Sequence, residues 1–89
     1  MNRAPHKDQI RQIVESYNLD HKQAKRMLRK HGSALVPTRV SSKWNAVQVL
    51  KGMGLKQGTD FFVSHLPTSA GYVFADKSAA TMIKMMDNL

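Results

Sequence analysis

No cysteine occurs in the 89 residues, which excludes a disulfide framework and any thiolate-ligated metal centre. Long apolar runs are missing too. The longest are a few residues, against the roughly 20 needed to cross a bilayer, so no membrane-spanning segment is expected. Residues 1–12 lack the apolar stretch of a secretory leader, and a cytoplasmic location is expected. Aromatic residues are scarce at 7%, with a single Trp, yet 42% hydrophobic residues suffice for the modest core of one small domain.

Negative charge is the next scarcity. Six Asp and Glu face 14 Lys and Arg, a net charge of +8, which is more than solubility requires and draws anions in before any specific contact forms. Between Asp20 and Asp60 there is no acidic residue at all, while Lys22, Lys25, Arg26, Arg29, Lys30, Arg39, Lys43, Lys51 and Lys56 lie there. With so few carboxylates, no acid–base pair suggests itself. His6, His21, His31 and His65 are scattered without metal-ligand spacing. Gly52, Gly54 and Gly58 form no phosphate-binding fingerprint. Ser64, His65 and Asp60 can be assembled into a triad on paper but resemble no nucleophile elbow. Enzymatic activity, a metal and a cofactor are therefore not expected.

Apolar spacing does define elements. Ile10, Ile13, Val14 and Tyr17 recur at i, i+3, i+4, i+7, predicting a helix over 5–17 with Pro5 in its first turn. Asp20 with Gln23 resembles a capping box for a second helix over 21–31, carrying Ala24, Met27, Leu28 and His31 inward and ending at Gly32. Residues 33–40 read as a loop or a short edge strand, since Pro37 removes a ladder donor. Ser41 or Ser42 caps a third helix with Ala46, Val49, Leu50 and Met53 on its apolar side, closed by Gly54 and Leu55. Residues 60–66 and 72–75 read as a β-hairpin around a turn at 67–71. Asp76 caps a last helix with Ala79, Met82, Ile83 and Met86 in register. The expected fold is a single α+β domain of three N-terminal helices, a β-hairpin and a C-terminal helix.

On the second helix Lys22, Lys25, Arg26, Arg29 and Lys30 fall within an arc of roughly 140°, opposite the apolar side chains. Like charges at i, i+4 cost about 0.2–0.5 kcal/mol per pair in an isolated helix, with no carboxylate in this helix to offset them. A plain solvated face is one reading. A face completed by phosphates is the other, and a membrane surface is disfavoured because the apolar side holds no Trp or Phe.

The third helix sets Trp44, Asn45, Gln48 and Lys51 away from its apolar side. Asn and Gln pair with adenine edges, Lys reaches guanine or phosphate, and an indole stacks on a base. Trp44 also fits the edge of the core, the common fate of a lone Trp in a small domain. The order helix, helix, helix, strand, turn, strand resembles a winged helix-turn-helix, which implies a third helix in the DNA major groove and a hairpin loop at the backbone. Two features depart from it: residues 32–40 are long for a tight turn, and Thr68 and Ser69 would form a wing without Lys or Arg.

The expectation is nucleic-acid binding, DNA before RNA, through Lys22, Lys25, Arg26, Arg29, Lys30, Arg39, Lys43, Trp44, Asn45, Gln48 and Lys51. The alternative from another class is an adaptor or inhibitor docking on an acidic protein surface. Met82, Met85 and Met86 are expected to fill the core, with a homodimer or partner contact as the second reading.

Overall fold

A computed structural model describes residues 7–88. Its helices are α1 (Lys7–Tyr17), α2 (His21–His31), α3 (Lys43–Gly52) and α4 (Lys77–Asp87), and its strands are β1 (Val36–Val40), β2 (Phe62–Val63) and β3 (Gly71–Ala75). The chain is thus a small α+β domain, and Pro5 lies outside the described residues.

The helix starts follow the side-chain oxygens named by the sequence. Asp20 accepts from the Lys22 N–H at 3.1 Å, Ser42 from the Asn45 N–H at 3.3 Å and Asp76 from the Ala79 N–H at 2.9 Å. Gly32, at φ 60 and ψ −132, ends α2 in a region only glycine occupies without strain.

Within residues 33–40, Val36–Val40 form an edge strand. The sheet order is β1-β3-β2, all antiparallel, and Pro37 pairs with Phe74 at the outer edge, where a missing N–H costs little. The side chains of β3 alternate, so each face of the sheet carries its own core. Phe74 and Phe62, partners across β3 and β2, pack with Ile10, Leu19, Ala24 and Met27 of the α1–α2 layer. Val73 and Ala75 point the other way, packing with Leu50, Val47, Ala79 and Ile83 of the α3–α4 layer.

Three expectations are corrected. The buried face of α3 is Lys43, Ala46, Val47 and Leu50, while Met53 is exposed. This set has the full i, i+3, i+4, i+7 spacing once the aliphatic stem of a lysine is admitted to it. On α4 the buried residues are Ala79, Ala80 and Ile83, whereas Met82, Met85 and Met86 stand exposed rather than filling the core. Small alanines let α4 lie close to β1 and β3, which turns the methionines outward. The hairpin connection is 64–70, longer than the turn at 67–71. Past Val63 one ladder bond persists, from the Ser64 N–H to the Tyr72 carbonyl at 3.0 Å, but the Ser64 carbonyl accepts from Lys43 Nζ and the Tyr72 N–H donates to Ser64 Oγ at 3.1 Å, so regular β2 pairing ends there.

Candidate nucleic-acid interface

Lys22, Lys25, Arg26, Arg29 and Lys30 are all exposed, because Ala24 and Met27 turn the opposite side of α2 into the core. The ridge they form divides two concave surfaces. On its α1 side Lys25 and Arg29 join Lys7, Arg11, Glu15 and His21 around a cleft of about 470 Å³. On its other side Arg26 looks into a groove of about 640 Å³ that reaches α3.

Three α3 residues at i, i+4 and i+7, Trp44, Gln48 and Lys51, form one wall of this groove. Gln23 and Arg26 of α2, Gln57 and Gly58 beside them, and residues 63–67 complete its lining. Arg26 Nη1 donates to the Gly58 carbonyl at 3.3 Å, which fixes that side chain to the turn. Gly58 sits at φ +82, a conformation that disfavours a side chain. No Asp or Glu lines the groove, so its cations meet no local anion. Trp44 does not fill a core edge; it is 61% exposed.

Lys43 departs from the expected phosphate contact. It is 1% exposed, and its ammonium donates to the backbone carbonyls of Ser64 and Leu66. Burial of a charge is tolerable only with such partners. The amide of Lys43 donates to the Ser69 carbonyl at 2.8 Å, and Ser69 Oγ donates to the Ser41 carbonyl at 2.9 Å, so loop 64–70 is fastened to the start of α3. A Cβ at Gly71 would lie 2.4 Å from Ser64 Oγ and 2.8 Å from Lys43 Cδ; glycine is what lets the lysine stem pass.

Two further candidates are not brought into the groove. Arg39 is exposed on β1 beside Lys77 and Lys84 of α4, at the opposite edge of the sheet. Asn45 faces a second cleft of about 430 Å³ with Ser41, Ser42, Met86 and Asp87, and Gln48 stands between that cleft and the groove.

Gln23, Gln57 and His65 were missed by sequence reasoning. Gln23 carried a capping signature, but the Asp20 side chain bonds the N–H of Lys22 and the Gln23 Oε1 approaches Gly58. A glutamine in an otherwise cationic helix was the available signal. Gln57 gave none, and His65 offered only a potential cation near the hairpin turn, since their neighbours in the groove come from α2 and α3. Asp60 and Ser64, the polar partners of a paper triad, accept from the amides of Lys56 and Tyr72 respectively.

The helix-turn-helix resemblance meets a strand at its critical point. Residues 32–42 connect α2 to α3 and contain β1, while the three-residue connection 18–20 joins α1 to α2 instead. No family model matches the chain, and comparisons with curated proteins and with solved structures find no match.

Proposed function

We propose that this protein binds nucleic acid, with the exposed cations of α2 on phosphates and the α2–α3 groove contacting bases. One observation carries the reading: Arg26, Lys51, an exposed Trp44 and three glutamine amides border one groove in which no residue is acidic. Cations supply sequence-independent affinity, while an aromatic face and amides are what a base can engage. Polar loops alone do not demand such a partner, but like charges stacked along α2 are relieved by one. The expected run of three helices favours DNA, but β1 stands in place of a tight turn between α2 and α3, so the proposal covers DNA and RNA alike, single strands included.

The test is an anisotropy titration of nuclease-treated protein with labelled duplex DNA, single-stranded DNA and RNA across several salt concentrations. If about six phosphates are engaged, log affinity for duplex DNA falls against log salt with a slope of roughly −5. Absence of binding at low salt for every nucleic acid overturns the proposal and leaves an acidic protein as the partner of the same face. A stoichiometric protein complex insensitive to nuclease is the signature of that outcome.

A further inference from the structure

We propose, resting on the nucleic-acid reading above, that the α2–α3 groove receives a single unpaired nucleotide, its base stacked on Trp44 and adjacent phosphates on Arg26 and Lys51. The preferred ligand is therefore a single strand. Within a duplex both faces of every base are covered by its neighbours, and a protein meets only base edges. An indole face is used by a base that has left the stack.

Trp44 is built for that role in three respects. It is the single Trp of the chain and is 61% exposed, although an unused indole gains by burial. Its ring has Lys43 Nζ above it, 5.9 Å from the centroid, and that ammonium is itself fixed by two carbonyls. The ring is thus steadied by a fixed cation while most of the residue stays open to solvent. It stands on a capped helix, so its backbone is already ordered before binding.

The surroundings match the rest of a nucleotide. Lys51 lies two turns along α3 from Trp44, about 10 Å at 1.5 Å per residue, and Arg26 faces it from α2. Gln48 and Gln57 each offer a carbonyl and an amide, the pair of functions a base edge requires. By contrast α3 is poorly placed to enter a major groove. Clefts flank it on both sides, toward α2 and toward α4, so neighbouring elements rise beside its exposed residues.

The test pairs intrinsic fluorescence with anisotropy on the whole chain. Oligonucleotides of about 10 residues, dT and U, are compared with a duplex of equal length and with heparin, a polyanion without bases. The expected result is tighter binding of a single strand than of duplex, with quenching of Trp44 that heparin does not cause. The dT and U arms show which strand is taken. Anisotropy should then show Trp44→Ala weakening single-strand binding roughly 5- to 150-fold, with thermal melting preserved and Trp44→Phe recovering much of the loss. Duplex binding as tight as single-strand binding, with Trp44→Ala without effect, overturns the unpaired-nucleotide inference while leaving the nucleic-acid reading intact. No binding of any nucleic acid at low salt overturns both.

Discussion

At the scale of single residues the most informative is Lys43, whose stem completes the inner face of α3 and whose ammonium is spent on the carbonyls of Ser64 and Leu66. Methionine at this position would keep the length and lose the donor, leaving those carbonyls to seek other partners. Lys43→Met is expected to cost about 1–3 kcal/mol of stability, read as a lower urea midpoint. The same variant should leave the salt slope of nucleic-acid binding unchanged, because the charge it removes is internally committed. A slope reduced by about one would instead make Lys43 a phosphate contact.

At the scale of elements α2 separates folding from binding by face. Met27 is packed under the sheet with Phe62 and Phe74, so Met27→Asp places an unpaired carboxylate in a core and is expected to abolish the cooperative melt. Retained melting would show that this face is not inside. The end of α4 behaves differently. Asp87 accepts from both Ser41 Oγ, at 2.8 Å, and the Ser41 N–H, at 2.9 Å, tying α4 to the end of β1. The Ser41 hydroxyl first, then its amide, holds the Asp87 carboxyl below its ordinary value of 3.8. A depressed folded value means stability present above the unfolded value and lost as pH falls through the folded one. Asp87→Asn should therefore melt below wild type at neutral pH, with the gap closing on acidification below about pH 4. A gap independent of pH would assign it to hydrogen bonding without charge.

At the scale of the whole molecule the groove exists because helices from opposite faces of the sheet meet beyond a very short edge strand. α2 covers one face, α3 the other, and β2 spans only Phe62–Val63, so side chains from both layers line the space past it. Arg39 lies on β1, across the sheet from that edge. In matched titrations Arg39→Gln should leave affinity and salt slope close to wild type, whereas Lys51→Gln should lower the slope by about one. Equal effects of the two would place the bound strand across both edges and displace the groove as its centre.

The sequence by itself determined what is decided within a few neighbouring residues. Caps at Ser42 and Asp76, the apolar stripes of α1 and α2, and the cationic side of α2 all depend on spacing along one helix and stand in the structure as read, while Asp20 caps α2 without the reciprocal bond expected from Gln23. The tertiary structure alone decided which side of an ambiguous helix faces inward. On α3 and α4 lysine and methionine compete with short apolar residues for the interior, and the shape of the sheet chose Val47 over Met53 and Ala80 over Met82. It also decided the company of each surface residue. Trp44, Arg26, Gln57 and His65 come from separate segments, and only packing against two faces of one sheet brings them to a common groove, because periodicity encodes direction from an axis and carries nothing about which axes lie side by side.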